Sequence, residues 1–184
     1  FLPAPRPNRP FTIGYFGRLV EEKGVSHLLD AAAALNGEWR LTILGGGPLR
    51  SALESQAAQL NIRQRVEFVE QVPSTQMPSM YHRIDTLVLP SLTRPNWKEQ
   101  FGRVLVEAMS SGVPVIGSDS GAIPSVIGDA GIVVPEGDSK SLSQALDVLR
   151  RDTVLYSDYA VRGRQRVGDH FTQQAVAGET VDLY

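Results

Sequence analysis

The sequence predicts an α/β fold, in which a doubly wound, Rossmann-like parallel sheet of about six strands carries helices on both faces. Three observations favour this fold class. Short apolar runs, mostly β-branched, recur along the chain, as expected for strands that are covered on both faces. Amphipathic helical patterns separate these runs. The connections are short, so strands and helices combine into βαβ crossovers, which make neighbouring strands parallel.

Each element is predicted from its own pattern. The apolar runs predict strands at 11–16, 41–44, 66–69, 86–89, 113–116 and 132–134. Apolar residues on one face predict helices between the first strands, formed by Val25, Leu28, Leu29, Ala32 and Leu35, by Leu49, Leu53, Ala57 and Leu60, and, in a shorter helix, by Met77, Met80, Tyr81 and Ile84. We interpret the Met and Tyr side chains of the third helix as core filling.

The C-terminal part of the chain is predicted to be mostly helical. Asp138 precedes Ser139 at the predicted start of a helix, and an Asp at this position caps free N–H groups. Its apolar face is formed by Leu142, Ala145, Leu146 and Leu149. Weaker helical patterns fill 154–168 and 172–184.

Length and composition limit the classes of function. A chain of 184 residues fits one domain. Its formal charge of -2 provides no basic field, so nucleic acid is not an expected partner. The absence of Cys excludes disulfides and thiolate metal sites. No apolar run approaches the roughly 18 residues that span a bilayer, so we expect no transmembrane segment.

The first ten residues have a different composition from the rest. They contain four prolines and no initiating Met, which is typical of an extended linker cut from a longer chain. We therefore predict an interdomain linker at 1–10 and a Rossmann-like domain at 11–184. No signal peptide pattern is present, which favours a cytoplasmic location and leaves peripheral membrane association of the full-length protein open.

In a doubly wound sheet, the ligand crevice lies beyond the carboxyl ends of the strands. The segments at this edge are Gly17-Arg18, Gly45-Gly46-Gly47, Glu70-Gln71-Val72, Pro90-Ser91, Gly117-Ser118 and Pro135-Glu136. The fold alone therefore predicts where a site should lie.

Two cations follow the first strand, in the sequence Gly-Arg-Leu-Val-Glu-Glu-Lys-Gly at 17–24. Arg18 and Lys23 occupy the loop that meets phosphates in Rossmann-like domains. Arg can neutralise a diphosphate through two parallel hydrogen bonds, and Lys can do so as a compact charge. The alternative is that both residues are ordinary members of an exposed loop.

Several cofactor motifs are absent. The turn Gly45-Gly46-Gly47-Pro48 allows close approach of a ligand, but a dinucleotide fingerprint requires glycine where Arg50 stands. A nicotinamide or flavin cofactor is therefore disfavoured, and no Walker phosphate loop occurs. The three His residues are scattered, and Asp119 is not part of an Asp-x-Asp pair, so we expect no metal.

Glu99 and Glu107 are the most informative residues, because seven residues separate them and Glu107 lies within an apolar segment. A charge is seldom buried without a partner. One interpretation is an exposed helix face on which Glu107 pairs with Arg103 at i,i+4. The other is a helix that begins near Phe101, with free N–H groups facing an anion and Glu107 reaching hydroxyls of the same ligand.

Taken together, these motifs resemble those of a known family. They are Gly-Arg-Leu-x-x-x-Lys-Gly at 17–24, Gly-x-Gly-Pro at 45–48, Pro-Ser at 90–91 and Glu-x7-Glu at 99–107. In this order they resemble the C-terminal, donor-binding domain of retaining glycosyltransferases of family 4 (glycosyl transferases group 1), which have the two-domain GT-B fold. The resemblance covers roughly residues 11–138.

The resemblance implies a role for each site residue. Arg18 and Lys23 would hold the donor diphosphate and stabilise the leaving nucleotide, and Glu99 would bind hydroxyls of the donor sugar. Glu107 would bind the ribose hydroxyls. Backbone groups complete the implied site, with those of Phe101, Gly102 and Arg103 contacting sugar or phosphate and that of Val72 meeting the nucleobase.

The resemblance also predicts limits to the activity of this chain. Its partners would be a nucleotide sugar and, through an N-terminal domain absent from the chain, an acceptor sugar, lipid or other small molecule. The fragment would bind nucleotide but transfer nothing. Many relatives have Asp at the middle of the Gly-x-Gly turn, where Gly46 stands, so no side-chain contact is expected from this position.

Two other classes of function remain open from the sequence. One is another Rossmann enzyme, such as a sugar-nucleotide epimerase or dehydrogenase, which the missing fingerprint disfavours. The other is a non-catalytic nucleotide-binding module, which the presence of both the cation pair and the carboxylate pair disfavours.

Trp97 would either stack on a ligand or cover the cleft, and the second is favoured.

Overall fold

The computed structural model describes residues 9–171 and confirms the predicted fold class. Six parallel strands form one sheet in the order β3-β2-β1-β4-β5-β6. The strands are β1 (Phe11–Phe16), β2 (Trp39–Leu44), β3 (Val66–Val69), β4 (Thr86–Leu89), β5 (Val115–Ser118) and β6 (Gly131–Val134).

The helices form two layers with the sheet between them. They are α1 (Val25–Ala33), α2 (Arg50–Gln59), α3 (Met77–Tyr81), α4 (Arg103–Ser110), α5 (Ile123–Ile127), α6 (Ser139–Arg151) and α7 (Thr153–His170). Helix α1 contacts α2 and α6, whereas α4 contacts α5 and α7. Within residues 9–171, none of the helices combines the length and apolar character that crossing a bilayer requires.

Strand β1 is the centre of the core. All six of its residues are buried, because β2 and β4 flank it and helices cover both faces. Ile13 and Tyr15 are completely inaccessible to solvent, as are Leu41 and Leu87 on the neighbouring strands. This packing explains why the strands read as continuous apolar runs instead of alternating patterns.

Element ends differ from the sequence prediction where turns intervene. The fifth strand begins at Val115 and not at Val113, because the Val113 N–H donates to Ala108 O and closes the turn after α4. Helix α4 begins at Arg103, two residues after the predicted start near Phe101, because Gly102 has a left-handed conformation (φ 71°) as its N-cap. Helix α5 was not predicted.

The ends of the last two helices follow a simple capping rule. The Asp138 carboxylate accepts hydrogen bonds from the N–H groups of Lys140 and Ser141, both at 3.0 Å, as predicted for the start of α6. Asp152 caps α7 in the same way. The predicted helical pattern at 172–184 and residues 1–8 of the predicted linker lie outside the described residues.

The strand order places a crevice at a defined point. Strands β1 and β4 are neighbours, and the chain leaves them towards opposite edges of the sheet. Crossover connections therefore diverge at their carboxyl ends, where ligands bind in doubly wound folds. Gly17 and Arg18 follow β1 at this point, and Pro90 and Ser91 follow β4.

Candidate functional site

A cavity of about 650 Å³ lies at the carboxyl edge of the sheet. The loops after β1 and β2, the segment at 71–78, Tyr81 and the face of α4 line it. Among its lining residues, Arg18, Arg103 and Glu107 carry charge. A cavity of this size falls within the range of small-molecule sites.

Backbone hydrogen bonds join the two loops that form the floor of the cavity. The Gly17 N–H donates to Leu44 O at 2.9 Å, and the Leu19 N–H donates to Gly46 O at 2.9 Å. A side chain at position 45 would place its Cβ 2.0 Å from Gly17 O, and φ there is +137°. Gly45 is therefore required for this close approach of the two loops, and the approach of a ligand that the turn motif predicted stays a prediction.

A buried tyrosine, Tyr15, holds the loop that carries Arg18 by a hydrogen bond. The Tyr15 hydroxyl donates a 2.7 Å hydrogen bond to Arg18 O. Burial raises the pKa of the Tyr15 phenol above its ordinary value, and the nearby charges of Glu99 and Glu22 raise it further. The phenol therefore stays protonated and keeps donating to the loop.

The Arg18 side chain is available to a ligand. It is exposed, and its guanidinium makes no hydrogen bond or ion pair with any other residue in 9–171. An arginine in this state at the mouth of a cavity can bind an anion without first breaking an internal contact.

Glu107 lies within the cavity on α4 and has two partners. Its Oε2 accepts a 2.6 Å hydrogen bond from the Tyr81 hydroxyl, and its Oε1 lies 3.3 Å from Arg103 Nε. The pair with Arg103 is the i,i+4 contact of the simpler interpretation, but the Arg103 side chain is 83% exposed. Exposed pairs of this kind contribute little, about 0.3–0.5 kcal/mol.

Glu99 is solvated by the protein itself. It is buried, and its Oε2 lies 2.5 Å from Lys23 Nζ and accepts a 2.9 Å hydrogen bond from the Ser91 hydroxyl. Ser91 belongs to the Pro-Ser motif after β4 and is itself completely buried. Lys23 in the loop after β1 and Glu99 of the Glu-x7-Glu motif, which are 76 residues apart in sequence, therefore meet in one ion pair.

Trp97 covers the Lys23 side of this pair. The Lys23 Nζ lies 4.8 Å from the centroid of the indole ring, a cation–π contact. The loop that carries Trp97 is closed by two backbone hydrogen bonds between Arg94 and Trp97. In this arrangement the indole contacts a protein cation, and its role as a cover of the cleft stays a prediction.

The N-terminal end of α4 has no side-chain cap. Its first N–H groups are therefore among those that a helix leaves without intrahelical partners. Phe101, just before the N-cap, is 45% exposed, and its ring packs edge-on against Phe171. An uncapped helix start beside a cavity favours an anion.

The structure places the predicted site residues in two adjoining groups. Arg18, Val72, Arg103 and Glu107 line the cavity. Lys23 and Glu99 pair with each other and do not line it, nor do Phe101 and Gly102. The charges of Arg18 and Glu99 both act on the Tyr15 phenol, so the two groups lie near each other.

Sequence reasoning missed the polar role of two tyrosines. Tyr81 is buried, as its interpretation as core filling predicted, but its hydroxyl reaches Glu107 in the cavity. Tyr15 was predicted only as part of a strand. Met77, predicted as core, is half-buried and lines the cavity. An apolar pattern does not distinguish a tyrosine whose hydroxyl bonds to a functional group from one that only fills space.

The chemistry of the site follows from these groups. Within residues 9–171 there is no cluster of three or more His, Cys, Asp or Glu side chains that could bind a metal ion. The site instead offers a free guanidinium, an ammonium and an uncapped helix start for an anion, and two carboxylates for hydroxyl groups. A phosphorylated sugar compound contains both kinds of group.

Comparison with known families gives a match over most of the chain. The model of the family described as glycosyl transferases group 1 matches residues 3–166. Among curated relatives, the phosphatidyl-myo-inositol mannosyltransferase of Mycobacterium leprae is 34% identical over 179 residues, covering 94% of this chain and 46% of the relative. The chain spans about half the length of the curated relatives it matches.

Solved structures of related proteins have the same fold. The C-terminal domain of a glycosyl transferase group 1 family protein (LpcC) from Francisella tularensis is 28% identical, with a TM-score of 0.79, and the match covers 90% of this chain and 89% of that one. Anabaena HepE in complex with UDP-glucose is 25% identical, with a TM-score of 0.82, covering 96% of this chain and 50% of that one.

Proposed function

Because the chain belongs to the glycosyl transferases group 1 family, we propose that it is the donor-binding half of a retaining glycosyltransferase. The enzyme transfers a sugar from a nucleoside-diphosphate sugar to an acceptor. The observation that carries the proposal is the cavity at the switch point of the sheet, which holds Arg18 and Glu107 together. The UDP-glucose bound to the related HepE protein supports the same class of ligand.

The cations and the helix start act on the diphosphate. Departure of the nucleotide builds negative charge on the phosphates, so fixed positive groups stabilise the transition state more than the ground state. Arg18 is free to bind a phosphate directly, and Lys23 is held close by. The backbone N–H groups around Phe101, Gly102 and Arg103 supply the dipole of α4 to the same anion.

The carboxylates act on hydroxyl groups. Glu107 binds the two ribose hydroxyls within the cavity, and Val72 places its backbone beside the nucleobase. Glu99 binds hydroxyls of the donor sugar through the carboxylate that now contacts Lys23 and Ser91. Two acids so placed contact both ends of a nucleotide sugar.

No side chain of this chain is assigned as a separate general base. In a retaining transfer the acceptor enters on the face of the leaving group, so a phosphate oxygen can accept its proton. The acceptor, a sugar, lipid or other small molecule, is bound by a further domain. The donor-binding half alone therefore binds nucleotide without transferring sugar.

Ligand binding tests the proposal through thermal stability. UDP, GDP, ADP and NAD are each added to the chain, and the melting temperature is measured. A nucleoside diphosphate at 100 times its Kd should stabilise the fold by about 2.7 kcal/mol. A shift with NAD alone would contradict the proposal and favour a Rossmann dehydrogenase.

Two variants test the assigned roles. Glu107→Ala should weaken nucleosides as well as nucleotides, whereas Arg18→Ala should weaken chiefly the species that bear phosphate. Arg40→Ala is the matched control, because Arg40 is also an exposed arginine but lies at the amino end of β2, where it bonds to Gln64 O. Equal losses for Glu107→Ala and Arg18→Ala with every ligand would show that the roles are wrong.

A further inference from the structure

We propose that Tyr81 is a positioning residue that orients the Glu107 carboxylate for the two hydroxyls of a ribose, and so gives the site its selectivity for ribonucleotides. The inference rests on the proposed function, because it assumes that Glu107 binds ribose. The direct observation is the 2.6 Å hydrogen bond from the Tyr81 hydroxyl to Glu107 Oε2.

Tyr81 is the group best able to fix this carboxylate. Among residues 9–171, its hydroxyl is the donor that hydrogen bonds to the Glu107 side chain, whereas Arg103 makes only an ion pair. The Arg103 side chain is 83% exposed, so its pair with Glu107 contributes little. A short bond from a neutral donor to a carboxylate is charge-assisted and directional, so it holds one rotamer.

The buried ring makes Tyr81 a rigid support. Tyr81 is 2% exposed, and its ring packs on Phe16 with the centroids 5.1 Å apart. Burial, together with the hydrogen bond to Glu107, raises the pKa of the phenol above its ordinary value. The phenol therefore stays protonated and donates to the Glu107 carboxylate.

The acceptor capacity of Glu107 fits two hydroxyls. An ionised carboxylate has about four lone-pair directions, and Tyr81 occupies one of them. The Glu107 side chain is 36% exposed and lines the cavity, so a ligand bound there can reach its carboxylate. Two vicinal hydroxyls can donate to these oxygens if the carboxylate plane is fixed, and Tyr81 fixes it.

Tyr81 also connects two walls of the cavity. It is the last residue of α3, and Met77 and Pro78 of the same helix line the cavity with it. The segment before α3 contains Val72, the proposed neighbour of the nucleobase. The hydrogen bond from Tyr81 to Glu107 on α4 therefore fixes the segment that contains Val72 relative to the carboxylate proposed to bind ribose.

The test compares a ribonucleotide with its analogue lacking the hydroxyls. Whichever of UDP, GDP and ADP binds the chain most tightly is titrated calorimetrically, together with its 2′,3′-dideoxy form. Tyr81→Phe should weaken the ribonucleotide about five- to tenfold, the range expected when an orienting hydrogen bond is lost. Affinity for the dideoxy form should stay within about twofold of the wild type.

A double-mutant cycle shows whether Tyr81 acts through Glu107. In a Glu107→Ala background, Tyr81→Phe should cause no further loss of ribonucleotide affinity. Tyr159→Phe is the matched control, because Tyr159 is a partly buried tyrosine on α7, away from the cavity. Tyr81→Phe should fold, since the ring is kept and the Glu107 carboxylate borders solvent, and its melting temperature verifies this.

The outcomes separate this inference from the proposed function. If the wild type prefers the ribonucleotide and Glu107→Ala abolishes the preference, the ribose role of Glu107 stands. The positioning role alone would then be overturned if the Tyr81→Phe variant kept the preference for the ribonucleotide, or if it bound the ribonucleotide and the dideoxy form more weakly by the same factor. A wild type that binds no nucleotide, or binds both forms equally, would overturn the ribose role and the inference together.

Discussion

Lys23 and Glu99 neutralise each other in one ion pair. Their 2.5 Å contact is largely shielded from solvent, with 19% and 10% of the two side chains exposed. The Ser91 hydroxyl and the Trp97 ring hold the pair from two further directions. A phosphate that is to contact Lys23 must therefore compete with Glu99, and sugar hydroxyls that bind Glu99 would compensate for the weakened ion pair.

This competition predicts opposite effects on two ligands. Glu99→Gln should strengthen binding of UDP about threefold, because Lys23 is released from a partly buried charge partner. The preference for UDP-glucose over UDP should fall, since the neutral amide is a weaker acceptor for sugar hydroxyls. Calorimetric titration of both ligands checks this. Unchanged UDP affinity would mean that Lys23 does not move to the phosphate.

The glycine turn gives a second prediction with an internal control. Gly45→Ala should destabilise the fold by roughly 2 kcal/mol or more and reduce nucleotide binding, because φ is +137° and the new Cβ would meet Gly17 O. Gly46→Ala, one residue later, meets nothing within 4 Å and should change stability by less than about 0.5 kcal/mol. Chemical denaturation measures both, and equal effects would contradict this geometry.

Secondary structure could be predicted well where the pattern was long or strongly apolar. The first, third and fourth strands have the predicted bounds, because each is a buried run between two breaks in hydrophobicity. Helix α5 has only five residues and contains Pro124 in its first turn, so it is too short to show a helical period. The shift of β5 came from the turn after α4, which the hydrogen bond from the Val113 N–H to Ala108 O closes.

A partly buried ion pair between Arg9 and Asp85 adds to the sheet ladder that joins β1 and β4. Asp85, which precedes β4, is 5% exposed and accepts a 2.7 Å bond from the Thr12 N–H. Its two carboxylate oxygens also face both terminal nitrogens of Arg9, at 3.0 and 3.2 Å. The residues just before the two central strands are therefore held together at the amino edge of the sheet.

Removing Asp85 should be costly for the same reason. Asp85→Ala removes the acceptor of the buried Thr12 N–H and the carboxylate partner of Arg9, so we expect a loss of about 3 kcal/mol in the free energy of unfolding. Glu67→Ala removes the exposed pair with Arg83, in which both side chains are more than half exposed, and should cost less than about 1 kcal/mol. Denaturant titration measures the free energy of unfolding of both variants, and equal losses would contradict this expectation.

The location of the site could be predicted from the sequence, but its internal contacts could not. Parallel strands bring their carboxyl ends to one edge, so the residues after β1, β2 and β4 had to meet there. Which of them would pair depended on side-chain packing between distant segments, as with Lys23 and Glu99. Tyr81 gave no signal because its ring satisfies the apolar pattern while its hydroxyl serves the cavity.

The exposure of the cavity leads to a prediction about catalysis by this chain alone. Arg18 and Arg103 are exposed, and the Glu107 side chain is 36% exposed, so water reaches the groups proposed to contact the donor. Electrostatic stabilisation of a leaving diphosphate is strong only where water is excluded. Residues 1–184 should therefore bind UDP-glucose, or the corresponding sugar nucleotide of the preferred base, without releasing nucleotide above the uncatalysed rate.

A coupled assay for the released nucleoside diphosphate checks this prediction, with simple sugars present or absent as acceptors. Binding is verified in the same samples by the rise in melting temperature, so that absence of turnover is not mistaken for absence of binding. Arg18→Ala serves as the comparison, since it should lower binding and leave the baseline rate unchanged. Turnover that depends on Arg18 would show that this half of the protein encloses its donor well enough to catalyse transfer or hydrolysis unaided.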